Sequence, residues 1–207
     1  MSIVTGNILR PFPGKRVIAE ERLKKMASVF DRLGAVAKTT NFVAGEYTEC
    51  IGLMRSYPDM KTATMTLGKL ANDAEAQEIR NLRETDPAGE MVINRTVGRS
   101  IFGEAKWASN PVSMIRRYSI SRSDVSKALA ILANIKPIMD KDEVNVRAIL
   151  PVLSDNMSRI SVAYQFRSLE HLGEVMDTSA SSTEMQGLIE KANEFSTLEA
   201  ASVMVSF

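Results

Sequence analysis

The spacing of apolar residues changes near the middle of the chain. Before Pro87 they recur three and four positions apart, and beyond Gly89 they alternate with polar ones. In the segment 16–33, Ile18, Ala19, Leu23, Met26, Ala27, Phe30 and Leu33 share one helical face, Glu20/Lys24 and Glu21/Lys25 form outward i,i+4 pairs, and Gly34 supplies a stop. The spacing predicts further helix within 42–57, with a strand as the alternative because Gly45 and Gly52 interrupt it. Asp59 is placed to cap a longer helix reaching about residue 83. Ahead of all these, Pro11, Pro13 and Gly14 disfavour regular structure, so residues 1–15 read as an extended arm with Ile3, Val4, Ile8, Leu9 and Phe12 available for docking.

The second half reads as strands and helices in alternation. Val112, Met114, Tyr118 and Ile120 form one face of a strand, and Ser123 stands before a helix carrying Val125, Ala128, Leu129, Leu132 and Ile135, which Pro137 should break. Alternating runs at 144–150 and 160–167 flank the turn residues Ser154, Asp155 and Asn156, as in a hairpin. Ser181 and Glu184 make a capping box before another amphipathic helix, and 201–207 is a terminal strand. The expected class is α+β. A helical N-terminal part (16–88) precedes an α+β region (89–207), either separate or continuous with it, in the order β-β-α-β-β-α-β. Its sheet is antiparallel or mixed, with helices packed on one face. No sequence repeat is visible.

Charge narrows the partners. Twenty-six Lys and Arg against 25 Asp and Glu leave a formal charge of +1, so attraction to an anionic partner would have to be local. The stretch 93–122 provides such clustering: Arg95, Arg99, Lys106, Arg116, Arg117 and Arg122 stand against one acid, Glu104, with Phe102, Trp107 and Tyr118 interleaved. Guanidinium groups pair with phosphate oxygens and rings stack on unpaired bases, so Arg95, Arg99, Lys106, Trp107, Arg116, Arg117, Tyr118 and Arg122 form the candidate surface for single-stranded nucleic acid or an anionic lipid surface.

Several chemistries are excluded by single residues. With His171 the one histidine and Cys50 the one cysteine, neither a Cys/His zinc site nor an internal disulfide can form. His171 also lacks a nucleophile turn around it, no phosphate-binding glycine loop occurs, and Asp140, Asp142 and Glu143 do not have calcium-loop spacing. Without an export signal or an apolar run of the roughly 20 residues needed to cross a bilayer, the expected location is cytoplasmic.

These features predict a non-enzymatic, self-associating structural or assembly protein without a cofactor, of viral matrix or nucleoprotein type. It would form a homo-oligomer through its arm and terminal strand. Two alternatives stand beside it. One is an enzyme using carboxylate and arginine chemistry, with its anionic substrate held by Arg95, Arg116 or Arg117. The other is a protein-binding adaptor.

Overall fold

The computed structural model describes residues 1–207, apart from the side chains of Asn94 and Arg95. The chain traces one path twice. The first pass is β1 (Ile3–Pro11), α1 (Arg16–Arg32), β2 (Val36–Gly45), β3 (Ile51–Tyr57), α2 (Met60–Ala71), α3 (Ala74–Thr85) and β4 (Gly89–Phe102). The second is β5 (Val112–Ile120), α4 (Val125–Lys141), β6 (Asn145–Leu153), β7 (Arg159–Phe166), α5 (Leu169–Asp177), α6 (Thr183–Asn193) and β8 (Ser196–Ser206). Each pass folds into four strands, ordered β4-β1-β3-β2 and β8-β5-β7-β6, and the two sheets join edge to edge into a closed antiparallel barrel. Helices cover the outside, so the sheet buries its outer face against them and encloses its inner face as a lumen.

The α+β class and the antiparallel sheet with helices on one face are as expected, but the helical N-terminal part is not. Residues expected as an extended, docking arm form β1, paired on both sides with β3 and β4, with Ile3 and Ile8 buried. Pro11 closes the strand where a missing N–H is tolerated, and Gly14, at φ +75°, turns the chain into α1. The stretch 42–57 is not helix but the end of β2, a turn and β3, as the strand alternative has it. β3 is buried on both of its faces, so its near-continuous apolar run carries no clear period.

Helix 59–83 is two helices. Asp59 accepts from the Thr62 N–H at 2.7 Å as expected, but Asp73 caps a second start by accepting from the Ala76 N–H at 3.0 Å. Conversely, α4 runs through Pro137 to Lys141. Ile138 and Met139 beyond it are buried, and their packing outweighs one lost backbone hydrogen bond. The terminal strand pairs with β2 and β5 of its own chain, so it has no free edge for a partner strand. The boundary expected at residues 88/89 falls just before β4, inside the first pass.

No helix among the described residues is long and apolar enough to cross a membrane.

Candidate functional site

Alternation along the strands sends every second side chain into the lumen. β5 contributes Ser113, Ile115 and Arg117, β6 contributes Arg147, Ile149 and Pro151, and β7 contributes Arg159, Ser161, Ala163 and Gln165. From the first pass come Val4, Gly6, Ile8, Phe42 and Met54. Together they enclose a cavity of about 220 Å³ whose middle is apolar. Gly98 helps keep it open, because a Cβ there would lie 2.4 Å from Ile149 Cγ2.

The lumen has a cationic lining. Arg117, Arg147 and Arg159 face it, and no carboxylate does so among the described residues. Arg117 is engaged by Glu46 and donates to the Tyr47 hydroxyl at 2.8 Å, while Arg159 pairs with Glu199 at 2.6 Å. Arg147 differs. Its side chain is 2% exposed, its Nε and Nη2 have no hydrogen-bond partner, and its guanidinium lies 6.0 Å from the centre of the Trp107 ring. Burial disfavours its charged form and lowers its pKa, an effect opposed by the field of Glu104. A buried guanidinium with unused N–H groups is costly to hold inside a folded chain.

The connection 103–111 closes this end of the barrel. Gly103, at φ +61°, starts it where a Cβ would sit 2.3 Å from the Val146 carbonyl oxygen. Gln165 then ties it down: its Oε1 accepts from the Lys106 N–H at 2.9 Å and from Asn145 Nδ2 at 2.8 Å, and its carbonyl accepts from Asn110 Nδ2 at 2.9 Å. Trp107 is thereby held over Arg147. At the opposite end, the turn after β2 places Tyr47, 8% exposed, against Phe42. Desolvation raises the Tyr47 pKa, so its hydroxyl stays protonated and available to donate.

The stretch 93–122 therefore does not form one surface. Adjacent residues on β5 face opposite ways, so Arg117 enters the lumen while Arg116 lies outside over the Tyr164 ring at 5.8 Å and Tyr118 packs into the outer core. Arg99 and Lys106 are exposed, Arg122 donates to the Pro151 carbonyl at 2.9 Å, and the Arg95 side chain lies outside the described residues. Of the eight expected residues, Trp107 and Arg117 reach the candidate site. Sequence reasoning missed Arg147, Tyr47 and Gln165. The one available signal was the polar row of β6 and β7, which reads as a solvated face unless the sheet closes on itself.

The other candidates take structural roles. His171 accepts the Arg167 N–H at Nδ1 (3.2 Å), and its Nε2 lies 2.8 Å from the Asp142 carbonyl oxygen, so both ring nitrogens are used away from the lumen. Cys50 is fully buried. Asp140 pairs with Lys136 and Glu143 with Arg167. The described residues hold no cluster of three or more metal-ligating side chains.

No family model and no curated protein matches this sequence. Solved structures do share its fold. A candidate monooxygenase from Fusobacterium nucleatum aligns with a TM-score of 0.69 at 8% identity over 99% of this chain and 92% of its own. An anthrone oxidase-like protein aligns at 0.67 with 11% identity, over 99% and 90% of the two chains. The heme-degrading enzyme of Listeria monocytogenes aligns at 0.53 with 7% identity, over 96% and 97%. Similarity this low speaks for the fold. That this fold is shared with proteins named as enzymes, together with the dispersal of the basic stretch, corrects the expectation of a non-enzymatic assembly protein of viral type with one basic, aromatic surface.

Proposed function

We propose that the protein is an enzyme whose lumen encloses a small, largely apolar organic anion and holds its charged oxygen against Arg147. One observation carries this reading: a guanidinium buried at 2% exposure, with two nitrogens unpartnered, lines a cavity that presents no described carboxylate. Arginine suits the role because it remains charged and offers parallel N–H donors to a carboxylate, phenolate or enolate.

The names of the structural neighbours, a candidate monooxygenase, an anthrone oxidase-like protein and a heme-degrading enzyme, point to oxygen chemistry. The residues here do not fit a histidine- or cysteine-ligated heme. His171 spends both ring nitrogens on backbone groups outside the lumen, and Cys50 is sealed in the core. Oxygenation of an ionisable phenol or enol suits the lumen better. A fixed cation favours the ionised form of such a group, and ionisation raises electron density at the carbon that dioxygen would attack. Tyr47, held by Arg117 at the other end, is placed to donate a hydrogen bond to a second polar group.

Phenolic and enolic probes, tested for binding by calorimetry and for turnover by oxygen uptake, would decide the matter. Arg147→Met should weaken binding roughly tenfold to a hundredfold and abolish uptake, with Arg147→Lys intermediate. Binding that is unchanged in Arg147→Met would overturn the proposal.

A further inference from the structure

A second cavity lies outside the barrel, between α1, α3 and the outer face of β1 and β3. It measures about 180 Å³, and its floor is mostly apolar, with Leu23, Met26, Leu53 and Ile79 among the side chains that line it. The charged side chains around it are all arginines: Arg22, Arg55, Arg80 and Arg83. Arg22 is held at the rim by Asp86 at 2.7 Å, and Arg55 is buried in the floor over the Phe30 ring. Arg80 and Arg83 are exposed on α3 and form no ion pair among the described residues.

The corresponding space in the second pass, between α4, α6 and the outer face of β5 and β7, is nearly filled. It leaves about 50 Å³ and has no charged residue in its lining. The same scaffold is thus packed shut on one side and left open on the other, and only the open side is ringed by cations. Close packing is the rule between helices and sheets, so an unfilled, mostly apolar space of this size whose charged lining residues are all arginines has the form of a ligand site.

From this contrast we infer that the first-pass cleft binds a carboxylate amphiphile, with its short acyl chain on the apolar floor and its carboxylate at Arg80 and Arg83. This site is separate from the lumen and does not depend on the function proposed for it.

Calorimetry on the full chain with hexanoate, octanoate and octanol tests the inference. Octanoate should bind more tightly than hexanoate, by roughly fourfold per added methylene, and more tightly than octanol. The exposed double substitution Arg80→Glu/Arg83→Glu should weaken octanoate at least tenfold without altering the fold, and Ile79→Trp should block it by filling the cleft. Arg147→Met should leave octanoate affinity unchanged. The inference fails if octanoate does not bind, if octanol binds equally well, or if Arg147→Met removes binding while Ile79→Trp spares it, since the last result would place the ligand in the lumen.

Discussion

On the outer face of the first pass Ile3 sits opposite Tyr57 and Thr5 opposite Arg55; in the second, Val112 sits opposite Phe166 and Met114 opposite Tyr164. Counting from these pairs, Arg55 and Tyr164 occupy equivalent positions, as do Asn7 and Arg116. The same diagonal is therefore bridged in both halves with the cation moved to the other strand: Arg55 donates to Asn7, and Arg116 lies over Tyr164. Inside the lumen the exchange is one of volume. Gly6 opposes Met54 in the first pass, and Ile115 opposes Ala163 in the second. By the same register Lys38 matches Arg147, yet Lys38 is half-buried while Arg147 is sealed. A repeated backbone tolerates such exchanges because only the sum across each pair must fill the space. The departure from balance inside the lumen is the sealed guanidinium of Arg147, the residue on which the proposed anion site rests.

Closure into one barrel predicts that the halves stand or fall together. Phe30→Ala and Phe166→Ala each empty a buried site, 2% and 1% exposed, in the outer cores of the first and second pass, and each should cost about 3–5 kcal/mol. Urea unfolding followed by both tryptophan fluorescence and circular dichroism should show one coincident transition in each variant. Trp107 lies on the connection between the passes, so transitions separated by probe would break the picture of a single cooperative unit. The volume exchange gives the next effect. Ala163→Met alone should narrow the cavity that Ala163 lines and weaken binding of the phenolic probes, and adding Ile115→Gly, which copies the first pass, should recover part of that loss. Strict additivity of the two substitutions would show that the pairs are not equivalent.

Much of the second pass is legible in the sequence because its strands bury one face deeply and its turns carry ordinary turn residues. The hairpin around 154–158 and the helix after Ser182 stand where the pattern puts them, although the cap is Ser182 rather than Ser181. The first pass is harder to read. β1 looks like an arm because prolines crowd its end, and β3 hides its period by burying both faces. The duplication itself is invisible, since equivalent positions hold Arg against Tyr, Asn against Arg and Gly against Ile. The lumen is missed for a related reason. In an open sheet the row Arg147, Ser161, Gln165 would be solvated, and only closure, a property of all eight strands at once, turns it into an interior.

The diagonal pairs yield a smaller contrast. Asn7→Ala removes a hydrogen bond from the buried Arg55 and should cost about 1–3 kcal/mol. Arg116→Ala removes a partly exposed cation–ring contact and should cost only about 0.5–1 kcal/mol. Equal costs would mean that burial does not distinguish the two versions of the diagonal.

The gentlest test uses acid. Asp73 is held below the usual carboxylate range by the Ala76 N–H and then by Arg32, and Asp86 is held low by Lys15 and Arg22; both belong to the first pass. In the unfolded chain these groups titrate near about 3.9. Above that value both states are ionised and the stabilisation is fully present; as pH falls toward the lower folded values the unfolded state takes up protons first, and the stabilisation is lost. Asp86→Asn removes one titrating group, so the variant should be less stable than the parent near about pH 6 and converge with it near about pH 2. The gap should be small because Asp86 is exposed to solvent that screens it. A gap that stays constant across this range would show that Asp86 acts through its shape and hydrogen bonds alone, and would remove charge as the reason the first pass is anchored to the turn between α3 and β4.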